Sequence, residues 1–173
     1  MMSSESTKEH RDAAADQTAR CAVLTVSDTR TKETDRGGRL IVEHLENAGH
    51  AIADYEIVRD EPDAITDQLH AWLNTDHPPD AIITTGGTGI ASRDTTVEVA
   101  RRFIDKELEG FGELFRMLSW EEVGPAAMLS RAVAGLANET LLFTLPGSTN
   151  AVKLAMTKLI IPELPHLIWE RLR

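Results

Sequence analysis

The sequence predicts an α/β fold, a three-layer sandwich in which a mostly parallel sheet is covered by helices on both faces. Short apolar, β-prone runs alternate along the chain with segments whose apolar residues recur at helical spacing. The connections between them are short. Four of the apolar runs finish in polar or glycine-rich sequence, as parallel strands do when they feed a common ligand crevice.

Residues 1–20 are rich in Ser, Ala and charge and show no apolar period, so they are expected to form a disordered tail ahead of a single domain, 21–173. The first strand is expected at Cys21–Val26. After the polar stretch Ser27 to Arg36, Gly37-Gly38 opens a helix with Leu40, Ile41, Leu45 and Ala48 on one face, and Gly49 ends it. A second strand, about Ala51 to Val58, leads through Arg59-Asp60-Glu61 into a helix with Pro62 in its first turn and Ile65, Leu69, Trp72 and Leu73 on one side. The third strand is Ala81 to Thr84, followed by a glycine-rich turn and a helix from about Thr95 to Asp105. Helices are expected over about 112–122 and 126–134, a fourth strand over Thr140–Leu145, and a helix after Pro146-Gly147. Pro162 is expected to break that helix and leave a last one carrying Leu164, Leu167 and Ile168.

Composition narrows the function. Eighteen Lys and Arg against 28 Asp and Glu give a formal charge of −10, against a general nucleic-acid binder, which carries a basic patch. An anionic ligand must then be held by backbone N–H groups, a few arginines or a divalent cation. Cys21 is the lone cysteine, so no intramolecular disulfide forms, and the six histidines lack metal-ligand spacing for a zinc site. No apolar run approaches the roughly 20 residues that span a bilayer. These features describe a soluble protein of the cytoplasm with no membrane association.

The chemistry is expected at the strand ends, where Ser27-Asp28, Asp60-Glu61, Gly86 to Gly89 and Pro146-Gly147-Ser148 would share one edge. Thr84 to Asp94 reads TTGGTGIASRD: glycines bring the backbone close to a ligand, Thr85 and Thr88 add hydroxyls, and Arg93 adds a positive charge, the elements of a phosphate cradle. It is neither a P-loop nor a complete dinucleotide fingerprint, since no Gly-Lys-Ser/Thr follows and Ser92 stands where the third glycine belongs. Asp60 and Asp94 allow two readings, as helix N-caps or as Mg²⁺ ligands working with substrate phosphates. Ser130 and Ser148 are outside any nucleophile elbow, which leaves an acyl-transfer triad without support. Arg116, Arg131 and Met128 are expected on helices, Met128 in the core and the arginines as surface charges or phosphate contacts.

With TVSDTR, DRGG, VRDE, TTGGTG followed by SRD, EGFGELFRMLSWEEVGPAAMLSRAVAG and LFTLPGSTNAV in hand, the chain resembles the MoaB/MogA family of molybdenum-cofactor biosynthesis proteins. The likeness runs from about Cys21 to the C-terminus, and the GFGELFRMLS block resembles the MoaB branch. DRGG stands where D-x-S-G is more usual. The resemblance implies a molybdopterin-binding domain that assembles as a homotrimer or homohexamer. It also implies an adenylyltransferase for which ATP and molybdopterin are substrates and Mg²⁺ is the cofactor. By the same resemblance Asp60 and Asp94 are the catalytic, Mg²⁺-linked acids. Ser27, Asp28, Thr85, Gly86, Gly87, Thr88, Gly89, Arg93, Ser130, Pro146, Gly147 and Ser148 line the substrate and nucleotide pocket. Two other readings are a non-catalytic molybdopterin carrier, which needs the pocket but not the carboxylates, and a nucleotide-dependent oxidoreductase.

Overall fold

The computed structural model describes Ala14 and residues 17–172. Six strands form one sheet: β1 (Arg20–Val26), β2 (Ala51–Val58), β3 (Ala81–Thr85), β4 (Lys106–Glu107), β5 (Val133–Ala137) and β6 (Thr140–Leu145). Their order is β2-β1-β3-β6-β5-β4; β2, β1, β3 and β6 are parallel, and β5 and β4 close one side antiparallel. The helices are α1 (Arg36–Asn47), α2 (Pro62–Leu73), α3 (Thr96–Phe103), α4 (Glu109–Val123), α5 (Thr149–Ala155) and α6 (Ile161–Arg171).

The central strands read as continuous apolar runs because both faces are covered, and their residues alternate between two cores. Cys21, Val23, Ile83, Leu141, Phe143 and Leu145 point into one, against Ile41 and Leu45 of α1, Phe115 of α4 and Val152, Met156, Leu164 and Ile168 near the C-terminus. Ala22, Leu24, Ile82 and Leu142 point into the other, against Ile65, Leu69 and Trp72 of α2 and Val97 and Ala100 of α3. Burying each such large side chain is worth roughly 1.5–3 kcal/mol, more than any cap or surface pair supplies.

Three departures from the sequence expectation have physical causes. The expected helix over 126–134 is a short 3₁₀ segment, Gly124–Leu129, followed by β5. Alanine-rich sequence favours helix, but the Asn138 turn (φ 53°) lets Val133–Ala137 pair with β6 and bury Val133, Ala134 and Ala137. Met128, expected in the core, is 76% exposed. Pro162 does not break its helix: a π turn, Met156–Ile160, precedes it, so Pro162 falls in the first turn of α6, where its missing N–H costs nothing.

The domain also starts earlier than expected. Arg20 opens β1, Ala14 and Ala19 are buried, and the Ala19 carbonyl accepts from Ala51 N at 2.8 Å. The rest of the expected tail, residues 1–13, 15 and 16, lies outside the described residues. Ala19 N in turn donates to Nδ1 of His50 at 3.1 Å. His50 is buried, and that burial lowers its pKa. The unfolded chain, whose histidine titrates near 6.5, therefore takes up the proton first, and His50 costs stability as pH falls from about 6.5 toward its lower folded value. The Tm advantage of wild type over His50→Gln is expected to shrink as pH is lowered from about 7.5 to 5.5; thermal melts at matched salt check this, and a pH-independent difference refutes it.

Candidate functional site

The strand order reverses at β1, whose neighbours β2 and β3 lie on opposite sides, and ligands in open α/β sheets bind at such a switch point beyond the strand ends. A cleft of about 390 Å³ lies there, lined by Thr25, Val26 and Ser27 at the end of β1, Thr85 and Gly86 at the end of β3, and Gly147, Ser148 and Thr149 at the start of α5, with Arg30, Asp35, Arg36 and Gly37 completing it.

Gly86 makes this junction possible. Its φ is +97°, and a Cβ would lie 2.3 Å from the Val26 carbonyl oxygen, so no other residue fits. Its N–H donates to the Leu145 carbonyl at 3.1 Å, which seats the turn between the ends of β1 and β6. Thr85 Oγ1 donates to the Pro146 carbonyl at 3.1 Å, joining the glycine loop to the Pro-Gly-Ser turn. Ser148 caps α5 by accepting from Ala151 N at 3.1 Å, and Ser27 Oγ accepts from the amides of Thr29 and Arg30 at 3.3 Å each. Asp35 is buried: Oδ1 accepts from Gly38 N at 3.0 Å, capping α1, and Oδ2 accepts from the Tyr55 hydroxyl at 2.5 Å.

Beside the cleft, behind the glycine loop, lies an acidic group. Asp28 accepts from the amide of Asp60 at 3.2 Å and pairs with Arg93. Gly87, at φ +62°, is pressed between Asp60 and Thr96: a Cβ there would sit 2.8 Å from Asp60 Oδ1 and 2.2 Å from Thr96 Oγ1. Both of those oxygens are buried and lack a protein hydrogen-bond partner. Burial, then the negative charges of Asp94 and Asp28, raise the pKa of Asp60, and Arg93 offsets part of the effect. Neither carboxylate caps a helix. The caps of α2 and α3 are Glu61 and Thr95, and Asp94 Oδ2 instead accepts from Ala91 N at 3.0 Å within its own loop.

Hard oxygen donors, two of them orphaned, fit a cation such as Mg²⁺. Among the described residues no three Asp, Glu, His or Cys side chains suffice to hold a metal alone. A cation here would complete its shell with ligand oxygens, as Mg²⁺ does on a phosphate.

Of the residues expected in the pocket, Ser27, Thr85, Gly86, Gly147 and Ser148 line the cleft, while Asp28, Asp60, Gly87, Gly89, Arg93 and Asp94 form or flank the acidic group. Thr88 is buried in the loop between them. Ser130 and Pro146 line a smaller adjoining cavity of about 160 Å³, which shares Ser148 with the cleft. Sequence reasoning missed Arg30, Asp35, Arg36 and Thr149. The available signal was that an acidic protein needs local cations for an anion, and Arg30 sits in the loop leaving β1 and Arg36 at the start of α1 that follows it.

Residues 22–166 match the family described as "Probable molybdopterin binding domain". Molybdenum cofactor biosynthesis protein B of Staphylococcus carnosus is 58% identical over 165 residues, 94% of this chain and 96% of that one. A crystal structure of a molybdenum cofactor biosynthesis protein B is similar with a TM-score of 0.87 at 47% identity, covering 91% of this chain and 98% of that one. The tungsten cofactor synthesizing protein MoaB from Pyrococcus furiosus is similar with a TM-score of 0.81 at 38% identity, covering 91% and 99%.

The raised pKa of Asp60 makes a stability prediction with a definite sign. Because the folded protein holds this proton more tightly than the unfolded chain, stability is lost as pH rises from the ordinary carboxylate range through the raised value. Asp60→Asn removes that loss. In chelator-containing buffer its Tm relative to wild type is expected to be higher at pH 7 than at pH 4; an unchanged or lower relative Tm at pH 7 refutes the electrostatic strain.

Proposed function

The chain belongs to the MoaB/MogA family of molybdenum-cofactor biosynthesis proteins, and we propose that it acts in molybdenum- or tungsten-cofactor biosynthesis by transferring AMP from ATP to molybdopterin, releasing pyrophosphate. The observation that carries this reading is the buried, unpartnered Asp60 Oδ1 facing Gly87, beside an anion-sized cleft with two arginines on its wall.

The terminal phosphate of molybdopterin is already an anionic nucleophile, which explains a site with no histidine or activated serine. Its oxygen attacks the α-phosphorus of ATP, a new P–O–P bond forms, and the bond to the β-phosphate breaks with its electrons leaving on pyrophosphate. The protein's task is alignment and charge neutralisation. Arg30, Arg36, the amides of the glycine loop and the N-terminal turn of α5 hold phosphate oxygens. Ser27 and Ser148, whose hydroxyl oxygens accept from the backbone, donate hydroxyl hydrogen bonds, and the Pro146 and Ser130 cavity accommodates part of the pterin side. Asp60 and Asp94 would hold Mg²⁺, which when bound offsets negative charge on the polyphosphate.

Asn keeps the shape of Asp and the acceptor that Asp94 offers to Ala91. Asp60→Asn and Asp94→Asn are therefore expected to fold and to bind molybdopterin while adenylyl transfer, followed by pyrophosphate release, falls by roughly 10²-fold or more. Wild-type turnover in both variants refutes the metal assignment. A wild-type protein that binds molybdopterin but never releases pyrophosphate establishes the carrier reading instead.

Assembly is part of the same reading. Leu114, Met117, Trp120 and Val123 of α4, with Met128 and Leu129 of the 3₁₀ segment, are each 47–76% exposed. Of these, Met117, Trp120 and Met128 line one shared apolar hollow, and such an exposed patch marks a protein interface. The expected species is a homotrimer or homohexamer buried across this face; Trp120→Glu is expected to shift light-scattering mass toward monomer, and a wild-type monomer at micromolar concentration refutes it.

A further inference from the structure

Arg131 sits outside both the cleft and the acidic group, yet it reaches the glycine loop. It follows the 3₁₀ segment, just before β5, and its side chain is 27% exposed. Nη1 donates to the Gly89 carbonyl at 2.9 Å, and Nη2 pairs with Glu98 in α3. On its other side Gly89 touches Asp94, since a Cβ at Gly89 would lie 2.6 Å from Asp94 Oδ2. The same oxygen accepts from Ala91 N at 3.0 Å. Arg131 thus holds the Gly89 carbonyl, and the Asp94 carboxylate packs against Gly89 while it accepts from Ala91, two residues on.

Such a grip is needed because the loop has little else. Ile90 to Arg93 are exposed, so no burial orders the tip, and glycines lose more backbone freedom on folding than other residues. Loops with few buried contacts open locally at small free-energy cost unless polar contacts hold them. Arg93 ties the far end to Asp28, and Arg131 ties the near end to α3. A guanidinium suits the second task, since its rigid planar fork serves a carbonyl and a carboxylate from separate nitrogens in a fixed geometry that a compact ammonium lacks.

We propose that Arg131 is a positioning residue for Asp94: by fixing the Gly89 carbonyl it sets where the Asp94 carboxylate stands relative to Asp60. This rests on the reading of Asp60 and Asp94 as joint holders of a cation on a polyphosphate. Arg131 touches neither reacting phosphate, so its effect falls on the order of the loop and on metal-nucleotide binding.

The test uses Arg131→Ala, Arg131→Lys and Glu98→Gln in the full chain, with thermal melts confirming folding. Amide hydrogen exchange at Ala91 reads the loop without any ligand, and electron paramagnetic resonance titration with Mn²⁺·ATP reads the site. In Arg131→Ala, Ala91 exchange is expected to rise, and Mn²⁺·ATP affinity to fall, by on the order of 10-fold, the scale of one charge-assisted hydrogen bond. Added guanidinium ion should restore part of that affinity, and Arg131→Lys should lie between Ala and wild type. Wild-type exchange and affinity in Arg131→Ala overturn the proposal, as does a loss that guanidinium does not repair at all. Should Arg131→Ala fail to fold, Arg131→Lys and Glu98→Gln decide by the same two readouts. A wild-type protein that does not bind Mn²⁺·ATP sinks the underlying functional reading, and Arg131 is then judged on Ala91 exchange alone.

Discussion

The approach of Gly86 to the end of β1 is the constraint on which the rest of the site depends. With its α-carbon packed so close to the Val26 carbonyl that a Cβ would sit 2.3 Å away, and its amide bonded to Leu145, the chain leaving β3 is wedged between two neighbouring strands. That wedge turns Gly87 toward Asp60 and places Thr85 against Pro146. The cleft and the acidic group are two sides of one backbone turn. Displacing the turn would alter both, so cleft and carboxylates cannot be tuned independently.

The division of cations follows from the charge of the chain. With a net charge of −10, general attraction for a polyphosphate is absent, and each arginine near the site has a local task. Arg93 and Arg131 are spent on Asp28 and Glu98, holding the loop, whereas Arg30 and Arg36 line the cleft. The acidic group goes the other way: Asp60 is burdened by burial and by two like charges, with two orphaned oxygens in its neighbourhood. Concentrated, incompletely satisfied polar groups of this kind cost stability where they stand, and the two apolar cores, rich in fully buried Leu, Ile and Phe, supply it.

Where the chain's signals are local, they were legible. Central strands such as Ala81–Thr85 announce themselves as uninterrupted apolar runs, and the glycine pair after β3 announces a close backbone approach. Val133–Ala137 was not legible, because five small and apolar residues carry no period and their strand state depends on a partner, β6, supplied by the fold. Pro162 misled for a related reason: a proline forbids a donor at one position, and a π turn upstream moved that position to a helix start. The structure brings the residues on the motif-bearing strand ends to one edge of the sheet. Arg30, Asp35 and Arg36 were not legible, since their loop has ordinary polar composition and gains meaning only from curling back over the cleft. Whether Asp60 and Asp94 cap helices is decided only in three dimensions, where Glu61 and Thr95 take the cap positions.

At the opposite rim of the sheet, Arg171 near the end of α6 pairs with Asp80 and donates to the Asp80 carbonyl at 3.0 Å, and Asp80 also accepts from the amide of Arg20 at the start of β1. The beginning of β1 and the end of α6 are therefore riveted side by side at the ends of the strands that face away from the cleft. Loss of the Asp80 carboxylate would loosen both stretches at once, at the rim of the sheet away from the cleft.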